Sequence, residues 1–239
     1  MIVDIFIPCF IDQIYPNTAK NMIRVLEKVG CSVNYNPEQT CCGQPAFNAG
    51  FRDHAREVGE KFIMDFLIDR PIVCPSASCA GMVKNYYSEM FHNTSLHNEY
   101  KQVQKNFVEF SDFLVNVLKV EDIGAELRGI ATYHDSCSAL RECGIKETPR
   151  TLLKKVKGLE LREMNDTETC CGFGGTFAVK YEAISVSMAE QKISNAATTG
   201  ASIMVSTDWS CLMHLDSYAK AQQKNIKVMH LADVLASGW

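Results

Sequence analysis

No stretch of this 239-residue chain approaches the ~18 consecutive apolar residues of a membrane-spanning helix, so the sequence predicts no transmembrane segment. Basic charge is not in excess either. The 24 Lys and Arg against 28 Asp and Glu leave a net charge of −4, without the electrostatic footprint of a nucleic-acid binder or a polybasic membrane patch. The apolar start "MIVDIFIPCFI" has neither a basic leading region nor a small-residue cleavage site, which argues against a secretory signal and for a cytoplasmic protein. His54, His92, His97, His214 and His230 show no metal-binding spacing with one another. The glycine run "GFGG" is an incomplete phosphate-loop pattern and carries no weight alone.

What is present is ordinary in bulk: 46% apolar and 22% charged residues suit a globular protein with a real core. The length fits one large domain or two lobes of about 100–130 residues. The eleven cysteines are not ordinary. In a chain rich in predicted long helices, clustered cysteines point to metal binding or redox work rather than to a secreted disulfide scaffold.

The cysteine spacings reveal a repeat. Cys9 is followed after 31 residues by Cys41-Cys42-Gly43 and then after 36 by Cys79. Cys137 is followed after 32 residues by Cys170-Cys171-Gly172 and then after 39 by Cys211. Chance would give roughly 0.03 such Cys-Cys-Gly triplets per chain of this composition, so finding two marks a duplication. The flanks agree: Thr40 and Thr169 precede the pairs, Phe47 and Phe177 follow them, and "VCPSASC" (73–79) aligns without a gap on "VSTDWSC" (205–211).

Each half alternates strand and helix. The first reads as strand "IVDIFIPC", helix "YPNTAKNMIRVLEKVG", strand "CSVNYN", the Cys-Cys-Gly loop, helix "AGFRDHAREVGEKFIMDFLID", strand "RPIVCPS" and a helix opening at Cys79. The second half repeats the scheme and adds a closing strand "IKVMHL". This predicts an α/β protein of two tandem, pseudo-symmetric lobes with mainly parallel sheets, residues 1–124 and 125–239. A joiner over 93–125 is expected to contain a helix. The motif cysteines then fall at carboxyl ends of strands or starts of helices, the edge where open α/β sheets bind ligands.

Four thiolates gathered there would repel by about 4 kcal/mol per pair at ~4 Å under an effective dielectric near 20, so the nest needs a cation or stays protonated. Zinc sites favour short Cys-x2-4-Cys chelates. Adjacent cysteines bite awkwardly on one ion, but they can reach two irons of one cluster. Gly43, Gly172, Gly174 and Gly175 let the backbone approach an inorganic core and turn N–H groups toward its sulfurs. The reading favours iron–sulfur clusters, with a structural zinc scaffold as the non-redox alternative.

The segments "IPCFIDQ", "TCCGQPAFNAG", "PSASCAGMV", "HDSC", "TCCGFGGTF" and "CLMH" resemble the signatures of the cysteine-rich (CCG) domain family over essentially the whole chain. That family includes the CCG subunit of heterodisulfide reductase and the glycolate oxidase iron–sulfur subunit, and the likeness is closer still to its short stand-alone lactate-utilisation members. The resemblance implies two iron–sulfur clusters of 4Fe-4S type, held by Cys9, Cys41, Cys42 and Cys79 and by Cys137, Cys170, Cys171 and Cys211. It implies an electron-transfer subunit of a complex oxidising L-lactate to pyruvate, and not itself the catalyst. Its partners would be a ferredoxin-like iron–sulfur protein and a third protein of the same operon, which could bring it to the inner face of the membrane. The alternatives it carries are a thiol–disulfide redox catalyst with an open cluster iron, which needs a cleft at the cluster, or a glycolate oxidase-type subunit. The heterodisulfide reductase member has an extra cysteine in each motif. Here only Cys74 is comparable, a candidate fifth ligand whose repeat counterpart is Ser206.

The remaining candidates have plainer readings. Cys31 is expected to be a buried small hydrophobe, and Cys143 to face away from Cys137. His134 and Asp135 read as a hydrogen-bonded structural histidine and a capping aspartate. Arg141 and Glu142 read as a surface pair, and Trp209 as a shield against water. Phe47, Phe51, Phe173 and Phe177 beside the cysteines are candidate interface anchors.

Overall fold

The computed structural model describes residues 1–239 and holds two four-stranded sheets, both entirely parallel. The first contains β1 (Ile2–Ile5), β2 (Ser32–Tyr35), β3 (Ile72–Cys74) and β4 (Phe107–Glu109), in the order β2-β1-β3-β4. The second contains β5 (Glu126–Tyr133), β6 (Lys157–Leu161), β7 (Ile203–Ser206) and β8 (Lys227–His230), in the order β6-β5-β7-β8. The orders are the same, so the duplication read from the cysteines is a duplication of topology. In each sheet the strand order reverses between the two central strands, which opens a crevice at their carboxyl ends.

Local sequence explains the main elements. Helix Pro16–Lys28 starts with a proline at its first position and buries Thr18, Met22, Val25 and Leu26, a stripe at helical spacing. Gly30 follows it at φ 87°, a conformation that favours glycine. Helices Arg52–Asp65 and Glu182–Thr198 are equivalent: the buried positions Ala55, Gly59, Phe62 and Ile63 of one match Ser185, Ala189, Lys192 and Ile193 of the other.

Two expectations need correction. The helices carrying Cys79 and Cys211 open two residues earlier, at Ala77 and Trp209. The joiner holds more than a helix: after His97–Asn106 it supplies β4 at the edge of the first sheet. The two lobes pack closely on one another. The helical turn Phe110–Asp112 leaves the first sheet and packs on helix Glu147–Leu153 of the second half, and Leu231–Leu235 packs on Pro16–Lys28 of the first. A core of 30 buried residues, from Val3 and Met22 through Leu152 to Leu235, is therefore shared by both halves. Thr18 Oγ1 and Asn21 Nδ2 each donate to Asp233 at 2.9 Å, and Ser111 Oγ meets Thr148 Oγ1 at 3.0 Å in the related position.

Candidate metal centres

Each motif cysteine leaves the carboxyl end of a strand. After β1, Cys9 opens the short helix Cys9–Ile14, and after β2 the chain turns through Cys41 and Cys42 into Gly43. Gly43 has φ 85°, and a Cβ there would come within 3.0 Å of the Ala55 carbonyl oxygen. Gly172 has φ 96°, and its Cβ would meet the Ser185 carbonyl oxygen at 2.6 Å. Both positions thus require glycine. In return, the Gly43 and Gly172 N–H groups donate to the sulfurs of Cys41 and Cys170, each at 3.4 Å. Gly174 and Gly175 also have positive φ and line the cavity beside the second set.

The structure gathers the first set closely. Cys9 and Cys41 sulfurs lie 3.9 Å apart, and those of Cys42 and Cys79 lie 3.3 Å apart. Cys74, fully buried at the end of β3, sits against Cys79 and donates to the Ser76 carbonyl at 3.4 Å. In the second set Cys137, Cys170, Cys171 and Cys211 follow one another in the same way. Negative charge accumulates poorly here. The Cys42 hydrogen bond is the main influence pushing the Cys41 thiol up to about 11, and the Cys41 partner and burial push Cys9 higher still. In the second set hydrogen bonds from Cys137 and Cys171 pull the Cys170 thiol down, while Cys137 is held up by Cys170 and by burial. Nests of this kind suit a cation that would neutralise all four sulfurs at once.

The two sets do not open onto separate surfaces. All eight motif cysteines line one cavity of about 510 Å³ between the lobes. At its seam lies the buried carboxylate of Asp208. Its Oδ2 accepts from the Ser78 N–H at 2.9 Å and its Oδ1 from the Ser210 N–H at 3.1 Å, so one side chain caps the helices of both Cys79 and Cys211. Ser76, Ser78, Ser136, Gln44 and Glu142 supply the other polar wall.

Several plainer expectations change. His134 is fully buried, its ring nitrogens make no hydrogen bond of good geometry although the Thr167 backbone lies close, and one of them lies within 4.8 Å of both the Cys171 and Cys211 sulfurs. Burial, reinforced by the nearby Lys192 ammonium, pushes its pKa down to about 3. Asp135 is not a cap, because Arg150 takes both its oxygens at 2.8 Å and also reaches Glu163 at 2.7 Å. Arg141 is exposed, whereas Glu142 turns into the cavity wall toward Tyr86, so the two form no pair. Trp209 does line the cavity. It stacks on Tyr15 with centroids 3.6 Å apart and donates to Thr18 Oγ1 at 2.8 Å. Cys31 is buried in the shared core, and Cys143 lies near the Ala77 carbonyl at 3.6 Å, outside both sets.

The sequence reading takes His134 as structural and does not single out Lys192, though a further signal exists. Extending the repeat alignment past the cysteines pairs His134 with Phe6 and Lys192 with Phe62. The structure agrees, since Phe6 and His134 N–H groups donate to the equivalent carbonyls of Val73 and Val205.

The profile of the CCG cysteine-rich domain matches residues 3–84 and 131–216, one copy per half. The chain belongs to the cysteine-rich CCG domain family. Among curated relatives, lactate utilization protein A of Geobacillus sp. (strain WCH70) is 43% identical over 237 residues, covering 99% of this chain and 100% of that protein. Lactate utilization protein A of Halalkalibacterium halodurans is 40% identical over 235 residues, covering 98% of this chain and 96% of the relative. Among solved structures, a hypothetical protein from Helicobacter pylori superposes with a TM-score of 0.63 at 11% identity, a likeness of fold alone. It covers 100% of this chain, which spans about half (49%) of that structure's length. No helix of this CCG protein is long and apolar enough to cross a membrane.

Proposed function

We propose that this CCG protein acts in lactate utilisation as an iron–sulfur electron-transfer subunit of a complex oxidising L-lactate to pyruvate. The observation that carries the metal reading is the convergence of eight motif cysteines on one cavity, four from each half. The relatives' shared name carries the lactate reading. The residues fit iron–sulfur groups: the donors are all thiols, the glycine turns leave no room for a Cβ, and N–H groups already point at sulfur. Cys9, Cys41, Cys42 and Cys79, with Cys74 beside them, would hold one group, and Cys137, Cys170, Cys171 and Cys211 the other. When bound, such groups accept and release single electrons. The protein's own residues position the thiolates, supply hydrogen bonds from Gly43 and Gly172, and exclude water with Trp209 and Phe173.

The crevice that each parallel sheet opens is lined by its cysteines, so catalysis of lactate oxidation is assigned to partners, a ferredoxin-like iron–sulfur protein and a third subunit. Purified alone, the chain should not oxidise L-lactate with an artificial acceptor; activity should appear only when both partners are added. The interface anchors need revision. Phe47 is buried beneath Arg52, whereas Phe51 is 61% exposed and Val179, at the cavity wall, is 84% exposed. Phe51→Asp and Val179→Asp should fold, retain iron and lose co-purification with the partners. Unimpaired assembly of both would place the interface elsewhere.

One observation favours a second reading. The cavity lies between the two cysteine sets and is open enough for a small molecule, which is the cleft a thiol–disulfide redox catalyst would need. Adding small thiols to the anaerobic, metal-loaded chain and following the EPR spectrum separates the two. Coordination of the added sulfur supports the catalyst, and an unchanged spectrum supports the carrier.

A further inference from the structure

The two cysteine sets differ in what else reaches them. In the first lobe a fifth thiol, Cys74, arrives from the end of β3 and sits against Cys79. Its counterpart Ser206 offers only a hydroxyl, a weaker iron ligand than a thiolate, and that hydroxyl donates to the His134 carbonyl at 2.9 Å. In the second lobe the additional group comes instead from the end of β5, where the first lobe has the ring of Phe6. That group is His134. It is 0% exposed and unpartnered at both ring nitrogens, and one of these nitrogens lies within 4.8 Å of the Cys171 and Cys211 sulfurs, which are equally near each other. A buried polar group without a hydrogen bond calls for an occupant of its surroundings that satisfies it. Within the protein only the Thr167 backbone approaches the ring, without the geometry of a formed hydrogen bond. Imidazole nitrogen is a competent ligand for iron, including the iron of sulfide clusters.

We infer that His134 donates a ring nitrogen to the metal centre of the second lobe, as Cys74 supplements that of the first. The inference rests on the iron–sulfur reading above and adds what that reading leaves symmetrical. A neutral imidazole in place of an anionic thiolate leaves the second centre less negative, which raises its reduction potential. The neighbouring ammonium of Lys192, held by the carbonyls of Asp166 and Thr167, acts in the same direction. The pair of centres is therefore directional, with the second lobe taking electrons from the first.

The test uses the full chain, reconstituted anaerobically with iron and sulfide, with histidine at natural abundance or labelled with nitrogen-15. Pulsed EPR of the reduced protein should show a strong nitrogen coupling that changes isotope on labelling. His134→Phe, which installs the residue of the first lobe, should abolish that coupling and shift one midpoint potential while leaving the other in place. His134→Cys should restore the full iron count at a lowered potential. A coupling that is absent from wild type, as weak as that of a merely hydrogen-bonded imidazole, or retained in His134→Phe would overturn the inference. The isotope experiment needs no variant, so it decides even if His134→Phe misfolds. Wild-type protein holding no iron and sulfide would remove the underlying reading and this inference together. Iron and sulfide without nitrogen coupling would remove the inference alone.

Discussion

Beneath its cysteines the first lobe packs aromatic rings at two positions where the second buries polar side chains. Phe6 packs edge-on against Phe62 with ring centroids 4.8 Å apart, and Phe66 and Phe107 complete the cluster. The equivalents of Phe6 and Phe62 are His134 and Lys192, both buried. At the edge of each sheet the contrast continues: Cys74 pairs in register with Glu109, and Ser206 with His230. Glu109 and His230 do the same structural work, each accepting backbone N–H bonds at the start of the next helix. Duplication thus preserved what the backbone and the thiols require, while the layer below diverged in charge. Cysteine positions, glycine turns and strand order are constrained by the geometry of the nest, but the second layer sets its electrostatics and was free to differ.

The sharpest break of this comparison is at the cysteines, where the lobes should behave alike. Cys42→Ser and Cys171→Ser should each lose about one of two centres, roughly half of the iron. Cys31→Ser and Cys143→Ser, at sites outside the sets, should leave iron unchanged. Equal losses in all four variants, measured by iron and sulfide analysis, would contradict the assignment.

Next in size is a feature confined to the second lobe. Asp135 is buried and paired through both oxygens with Arg150, while the equivalent residue of the first lobe is Ile7. Asp135→Asn leaves the guanidinium facing a neutral amide and should cost about 3–5 kcal/mol of stability. Chemical denaturation measures it, and a change below ~1 kcal/mol would mean that Glu163 alone holds Arg150.

The smallest expected effect separates the lobes by pH. Burial raises Glu109 from its ordinary 4.5 to about 7, so the native state retains a proton that the unfolded chain releases. That stabilisation is complete below pH 4.5 and is lost as the pH rises through about 7, a contribution of about 3 kcal/mol. His230 behaves oppositely: burial lowers it, so its contribution is absent in acid and grows as the pH rises toward its ordinary 6.5. Glu109→Gln should therefore flatten the fall in stability between pH 5 and 7, and His230→Gln the rise. Thermal melts across that range should show slopes of opposite sign removed by the two variants.

Much of this arrangement is legible in the chain itself. The parallel α/β lobes follow from alternating patterns, and the convergence of Cys9, Cys41, Cys42 and Cys79 follows from their places at strand ends. The edge strand β4 does not, because it is three residues long, wholly buried and contains a glutamate, so it shows neither alternation nor an apolar run. The exchange of helices between lobes is also hidden, since it depends on which surface Phe110 and Leu231 reach and not on local pattern. His134 reads from its neighbours in sequence as a structural residue. An isolated residue type cannot reveal its surroundings, and only the fold shows that one ring nitrogen lies within 4.8 Å of the Cys171 and Cys211 sulfurs.

The central claim is that both cysteine nests hold iron–sulfur groups. Iron and acid-labile sulfide, counted per chain on anaerobically purified protein with EPR of the reduced state, test it most directly. Brown protein with iron and sulfide in roughly equal amounts and two distinguishable paramagnetic centres is the expected result. Colourless protein carrying zinc and no sulfide would contradict it.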